Sequence, residues 1–561
     1  MSDVPTTASG ATVDGHGGVQ AVAAAVDHGV TTMWTLSGAH VFPLYDAAVG
    51  GAAGDGPLRL IDVRHEATAV FAAEGTAKLT RTPGLAVVTA GPGVTNSVSA
   101  VTTAQFNGSP IVVVGGRAPA FRWGTGALQE FDHVPLLAPV TKLAATVESA
   151  AEIHTAFDKA FTTATASHRG PVFLDIPMDV LFSPAHVQRQ VPQTRVRTPA
   201  TAHDVEHIAA LIANAERPVI VLGSDVWNDN AEDAARCLVR DAQLPTISNG
   251  MGRGIIAPSD PLLVTGARGA AFGGADLVIV VGAPLDFRLG YGAFGGKDGN
   301  APAKVVHIVD STDQRANHVP LAASAAGDLA QTLDDICRAW HGVPHVEHTV
   351  WNDNLAAIAA ASRAKTALEM ASDADPIHPA RIYGELIPRL ADDAVVIGDG
   401  GDFVSFAGRY IEPAQPGCWM DPGPFGCLGT GLGYAMAARV ARPDSQVVLL
   451  MGDGAAGFSL MDVDTLVRHD LPVVMVVGNN STWGLEKHPM NFLYGYDVAA
   501  DLQPSLGYDG VVRALGGAGE TVTKPAEIGA ALDRAFASGV PYLVNVITDP
   551  AVAYPRTTTG I

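Results

Sequence analysis

The stretch Gly452–Asn480, GDGAAGFSLMDVDTLVRHDLPVVMVVGNN, decides the fold of this chain. It follows one apolar run, VVLLM (Val447 to Met451), and contains a second near its end, LPVVMVV (Leu471 to Val477). Two continuous apolar runs bounded by turn residues read as buried parallel strands, and the residues between them suffice for one crossover helix. The unit is strand, glycine turn, helix, strand. Both polar clusters then fall at the carboxyl ends of neighbouring strands, where open α/β sheets bind ligands.

Asp453 and Asn480, 27 residues apart, converge in such a unit. A carboxylate and an amide oxygen are hard ligands suited to Mg²⁺ or Ca²⁺, and Mg²⁺ commonly joins a few protein oxygens to phosphates. Gly452 lets the backbone approach closely, and the N–H groups of Gly454 and Ala455 open the helix that follows, a favourable place for an anion. Read alone, GDG is also an ordinary turn tripeptide. Its pairing with NN at this spacing, with a strand on each side, points instead to a metal-bridged diphosphate site.

Outward from this unit, the same grammar repeats. A chain of 561 residues is too long for one hydrophobic core. With 47% hydrophobic and only 16% charged residues, it has large buried cores or extensive subunit contacts. A net charge of −22 argues against nucleic-acid partners and anionic membrane surfaces, because phosphate binding needs clustered Lys and Arg. No apolar run reaches the ~20 residues of a membrane helix. The four cysteines, Cys237, Cys337, Cys418 and Cys427, show no CxxC spacing, and no signal peptide opens the chain. Reduced thiols and a cytoplasmic location are expected.

The predicted fold class is α/β, with three doubly wound parallel-sheet domains. Residues 1–17 are small and polar and read as a flexible tail. Residues 18–185 alternate strands, polar or glycine turns and helices, as in LRLIDVRHEATAVFAAEG and GLAVVTAGPGVTN. A polar, proline-containing bridge, QRQVPQTRVRTPATAHD, leads to a central domain over 198–344, whose strands end in glycine or acidic turns. After a second bridge carrying a helical segment, residues 376–561 form the last domain, with a C-terminal tail in which Arg556 could serve a lid.

GDG followed at this distance by NN resembles the diphosphate-binding motif of thiamine-diphosphate-dependent enzymes. RHEATAVFAAEGTAK and AGPGVTN are similar to the RHEQ…AEGYAR and SGPG.TN segments of the acetolactate synthase and oxalyl-CoA decarboxylase superfamily. This resemblance covers nearly the full length. It implies a first domain that binds the aminopyrimidine, a last domain that binds the diphosphate with Mg²⁺, and a site completed across a subunit interface, hence a homodimer at least and a homotetramer by family habit. Glu66, by default a solvated helix-start carboxylate, would take the role of the glutamate that hydrogen-bonds N1′ and helps ionise C2. That chemistry needs a carboxyl held away from water.

The resemblance also implies Asp453, Asn480 and the Thr482 carbonyl as metal ligands. Asp402 and Phe403, in the earlier turn GDGGDF, become backbone donors to the diphosphate. In PFGCLGTGLGYAMAA, Leu428 is the apolar wedge under the cofactor, and the Gly426 carbonyl accepts from the 4′-amino group. Gln129 in LQEFDH is a substrate contact, and His133 is either a site or a loop residue. The central domain holds ADP, FAD or nothing, with Arg268, Arg288 and Asp310 as candidate nucleotide contacts.

The reaction should be set by the residues past Asn480, STWGLEKHPMNFLYGYD. Acetolactate synthases carry a tryptophan where this chain has Pro489, and oxalyl-CoA decarboxylases a tyrosine where it has Gly484. The form WGLEKHPM…LYGY is similar to actinobacterial proteins that include 2-hydroxyacyl-CoA lyases. The expectation is a lyase and carboligase that cleaves a 2-hydroxyacyl-CoA thioester to a ketone or aldehyde plus formyl-CoA, with Glu486 relaying the proton of the 2-hydroxyl. The alternatives are an acetolactate synthase and a catalytically inactive binding or regulatory homologue, the last disfavoured by the presence of Glu66, Asp453 and Asn480.

Overall fold

A computed structural model describes residues 12–192, 197–299 and 301–555 of the chain. Three parallel sheets form its framework, each with inner strands that are apolar on both faces. The first sheet uses Thr32–Thr35, Arg59–Asp62, Gly84–Val88, Ile111–Arg117, Leu143–Thr146 and Val172–Pro177. Numbered along the chain, these strands lie in the spatial order 2-1-3-4-6-5. The last sheet, built from Val395–Asp399, Trp419–Met420, Val447–Gly452, Val474–Asn479, Ala518–Val522 and Tyr542–Ile547, repeats that order. The central sheet runs 2-1-3-4-5 through Pro218–Leu222, Thr246–Ser248, Leu277–Val281, Lys304–Val309 and Ala323–Ala326.

In all three, order reverses between the first and third strands, so each sheet has a switch point there. The central sheet shows why these strands read as unbroken apolar runs. Ile220, Leu222, Ile279 and Val281 face one core, whereas Val219, Val221, Val278 and Val280 face another. Helices cover both sides, and alternation disappears from the sequence.

The chain divides into two compact units. The first takes the described residues of Met1–Arg195 with Phe425–Pro443 and Ser459–Pro472, and the second takes the described residues of Val196–Pro424 with Asp444–Phe458 and Val473–Ile561. Two stretches expected in the last domain thus pack with the first sheet's unit. Within that unit, the helix Thr430–Ala441 lies on the helix Glu66–Thr80. The approach is so close that a Cβ on Gly433 would sit 2.6 Å from Phe71 Cβ and 3.0 Å from the Thr68 carbonyl oxygen. Only glycine fits there.

The flexible tail expected over residues 1–17 needs correction in its described part. Thr12–His16 is a strand paired antiparallel with Pro184–Gln188, and the His16 ring accepts the Gly18 N–H at the start of the next helix. The backbone hydrogen bonds of a two-stranded ribbon outweigh the small, polar composition that suggested disorder. The polar bridge between the first and central domains lies partly outside the described residues, and so does Arg556. Among the described residues, no helix is long and apolar enough to cross a membrane.

Candidate active site

In the second unit, the strands Val395–Asp399 and Val447–Gly452 flank the switch point of the last sheet. Asp402 and Asp453 each open the helix that follows, Asp402–Tyr410 and Asp453–Ser459. Asp453 is 3% exposed. Its Oδ1 accepts the Gly454 N–H at 2.9 Å and its Oδ2 the Ser481 N–H at 2.6 Å. Burial raises its carboxyl to about 6, and the opposing contributions come from backbone N–H groups, none from a cation.

Asn480 Oδ1 accepts the Thr482 N–H at 3.1 Å, so Asn480 and Thr482 share the short turn whose Ser481 N–H reaches Asp453. The neighbouring Asn479 turns inward. Its amide donates to the Leu506 carbonyl and to Asn545, which fixes the strand end. Of the NN pair, one residue is structural and the other faces the turn. Gly454 is required by packing, because a Cβ there would lie 2.4 Å from the Trp483 ring.

The turn after Val395–Asp399 is held from two sides. The Asp402 carboxylate accepts the Tyr554 N–H at 3.1 Å, so the chain segment just before Arg556 is seated on this turn. Phe403 is buried, packs over Gly478 and presents its carbonyl to the Tyr383 hydroxyl at 2.5 Å. The N-cap of this helix, Gly401, makes no side-chain capping bond, so no side-chain cap competes for the N–H groups that open it. Glu486 lies exposed in the first turn of the helix Gly484–Tyr494. Lys487, the obvious partner, is instead paired with Asp501 and lies 3.9 Å from Asp497.

In the first unit, Glu66 is the first residue of its helix and only 7% exposed, unlike a solvated helix-start carboxylate. Its Oε2 accepts from the Asn96 amide at 3.1 Å. The turn before it is clamped by Asp462, 2% exposed, which accepts the Arg64 N–H at 2.7 Å and the Thr68 hydroxyl at 2.6 Å. Burial raises the Asp462 carboxyl, and Thr68 and Arg64 work against that. Neither Asn96 nor Asp462 was singled out in the sequence. Asn96 had a signal in the TN of AGPGVTN, whereas Asp462 lies about 400 positions from its partners and had none.

His133 proves to be a positioning residue. It is fully buried, its Nδ1 faces Asp175 at 3.1 Å and its Nε2 accepts the Gly91 N–H at 2.9 Å, so both ring nitrogens are committed to holding the GPG turn. Gln129 flanks the same turn with φ of +60°. Its Oε1 takes the Thr89 hydroxyl at 3.4 Å, and Thr89 also meets His40, a buried histidine lowered by desolvation. Gly426, with φ of +68°, is exposed and Leu428 half-buried. Phe425 beside them stacks on Phe106 at 5.2 Å.

In the central domain, Arg268 and Arg288 come together. The Arg268 guanidinium donates to the Arg288 carbonyl, and burial with Arg253 and Arg288 nearby lowers it to about 10. Arg288 is paired with Asp286 at 2.7 Å. Asp310 is buried just beyond the strand Lys304–Val309, with its carboxylate within 4.8 Å of that of Asp225.

Residues 16–136, 205–336 and 399–546 match, in turn, the N-terminal TPP binding domain, the central domain and the C-terminal TPP binding domain of the thiamine pyrophosphate enzymes. This chain belongs to the thiamine pyrophosphate enzyme family. Within it, the acetolactate synthase large subunit IlvG of Mycobacterium tuberculosis is 49% identical over 94% of this chain and 95% of its own length. The 2-hydroxyacyl-CoA lyase 2 of Danio rerio is 32% identical over 91% and 87%, and that of Homo sapiens 32% over 83% and 79%. The protein is therefore a thiamine-diphosphate-dependent enzyme of the acetolactate synthase and 2-hydroxyacyl-CoA lyase group.

The turn at Asp453 has the donor set for a divalent cation bound to a diphosphate. Its oxygens are hard, the carboxylate is buried without a cation to offset it, and Thr482 Oγ1 is buried with no partner among the described residues.

Proposed function

We propose that the protein is a carbon–carbon lyase and carboligase that cleaves a 2-hydroxyacyl-CoA to a ketone or aldehyde plus formyl-CoA. The observation that carries this reading is the helix Gly484–Tyr494. It begins four residues past Asn480, presents Glu486 exposed and without a basic partner among the described residues, and has Pro489 within it where acetolactate synthases place a pocket-shaping tryptophan.

Bound thiamine diphosphate supplies an electron sink for breaking or making the bond next to a carbonyl. Asp453, Asn480 and the Thr482 carbonyl would hold Mg²⁺, and the N–H groups of Asp402, Phe403, Gly454 and Ala455 would take the diphosphate. Glu66, steadied by Asn96, exchanges a proton with the aminopyrimidine nitrogen, and Glu486 takes the proton of the substrate 2-hydroxyl. Gln129 would orient the substrate beside the GPG turn, Leu428 would wedge the cofactor, and the Gly426 carbonyl would accept from its amino group. Arg268 and Arg288 would meet the diphosphate of ADP, or the same diphosphate within FAD, in the central domain, and Asp310 a ribose hydroxyl. The exposed side chains of Phe492, Tyr494 and Tyr496 support an assembly of at least two copies, with a homotetramer as the expected form.

The 49% identity to a protein called an acetolactate synthase favours a second reading, condensation of two 2-ketoacids. A product assay with thiamine diphosphate and Mg²⁺ separates them. Formyl-CoA released from a 2-hydroxyacyl-CoA is the expected result. Acetolactate from pyruvate, with no formyl-CoA, would replace the lyase reading by the synthase.

A further inference from the structure

The central domain carries a cluster of ligating side chains that the reaction does not use. The helix Glu232–Asp241 presents Cys237 and, one turn on, Asp241. The helix Leu329–His341 packs against it and presents Cys337 and, one turn on, His341. Residues four apart share a helix face, so two i, i+4 pairs face each other. Cys237 Sγ and Cys337 Sγ are 4.0 Å apart, and Asp241 Oδ2 is 3.7 Å from the first and 3.6 Å from the second. His341 Nε2 is 2.8 Å from the same Oδ2.

We propose that Cys237, Asp241, Cys337 and His341 form a binding site for a soft-to-borderline divalent cation, Zn²⁺ by chemistry, that fastens these two helices together. The donor set of two thiolates, an imidazole and a carboxylate is that of a tetrahedral zinc site. A tetrahedron with usual Zn–S and Zn–O bonds has an S···S edge of about 3.8 Å and S···O edges of about 3.5 Å. The three distances among the sulfur atoms and the Asp241 oxygen already match these to within a few tenths of an ångström. His341 is the ligand that shifts most, because its Nε2 does not lie within 4.8 Å of all three of these atoms; it exchanges its hydrogen bond to Asp241 for the metal through the same Nε2.

Asp241 and His341 are also the last residues of their helices, so two negative helix ends face the cation. Binding displaces one proton from each thiol, and three ligand charges of −1 then meet a charge of +2. The site is open to solvent on the Cys237 and His341 side, which gives the ion a path in.

The test uses the full-length protein, reduced, stripped with chelator and saturated with Mg²⁺ and thiamine diphosphate, then titrated with Co²⁺. One equivalent per chain is expected, with thiolate-to-cobalt charge-transfer absorption, the intense visible bands of a tetrahedral ion, and displacement by Zn²⁺. Cys237→Ser and Cys337→Ser should each remove the charge-transfer band, Cys418→Ser should leave it, and His341→Ala, a change at an exposed side chain, should weaken binding about 10- to 100-fold. Absence of thiolate absorption in the reduced protein overturns the proposal. So does a stable Cys237–Cys337 disulfide, seen as the loss of two titratable thiols, whose reduction is not followed by metal uptake.

Discussion

At the scale of single residues, burial separates the chemistry from the scaffolding. Glu66 and His133 are both buried polar residues at a helix start, but His133 has both nitrogens occupied whereas Glu66 accepts one amide and is otherwise shielded. Glu66→Gln keeps the shape and the Asn96 neighbour but cannot exchange a proton. Turnover should fall about 10²- to 10⁴-fold, with thiamine diphosphate affinity, read by calorimetry, nearly unchanged. A glutamine variant with full turnover would remove Glu66 from proton transfer. The approach of Asp453 to the turn after Asn480 was legible because a fixed spacing between two strand ends survives in one dimension. Asp462 was not, since the two ends of its hydrogen bonds are about 400 residues apart and neither belongs to a local pattern.

At the scale of elements, strand order could be read only in part. Apolar runs bounded by glycine announced three parallel sheets, but nothing in them says that Thr430–Ala441 will settle on Glu66–Thr80. That seam is fixed by a buried cluster. Glu74 is fully buried, with Lys78 3.1 Å away, and also accepts from Asn107, Ser109 and Tyr434. Lys78→Met should therefore destabilise by about 3–5 kcal/mol, because it leaves a buried charge without its cation. Adding Glu74→Gln should recover much of the loss in denaturant titrations, whereas simple additivity would mean the pair is not coupled.

The central sheet holds a second device of this kind in His307, fully buried, whose Nε2 donates to the Ala283 carbonyl at 3.0 Å while Nδ1 accepts the Ala316 N–H. The ring is pinned neutral, and burial lowers its proton affinity below the usual 6.5. Between that lowered value and 6.5 the unfolded chain binds more protons than the folded one. Stability is therefore full above pH 6.5 and lost as pH falls through it, with a slope of up to about 1.4 kcal/mol per pH unit. His307→Gln should flatten that slope in melts recorded from pH 7.5 downward. An unchanged slope would place the acid sensitivity elsewhere.

At the scale of the whole molecule, charge bears on the choice of substrate. The chain carries 57 acidic against 35 basic residues, while a CoA thioester is itself a polyanion. The arginines of the central domain do not reverse this at a distance. Around Arg268, Arg288 is paired with Asp286 and Arg253 lies 3.6 Å from Glu412, so of these three Arg268 alone has no acidic partner among the described residues. Beyond a Debye length of about 10 Å at 0.1 M salt, the approaching thioester meets the net charge rather than one guanidinium. Added salt should then raise kcat/KM for a 2-hydroxyacyl-CoA several-fold between low and physiological ionic strength, by screening repulsion. A singly charged 2-ketoacid should show a much smaller rise. If kcat/KM for the thioester falls with salt instead, attraction by a local basic surface governs its capture, and the long-range field of the acidic chain is not what the substrate feels.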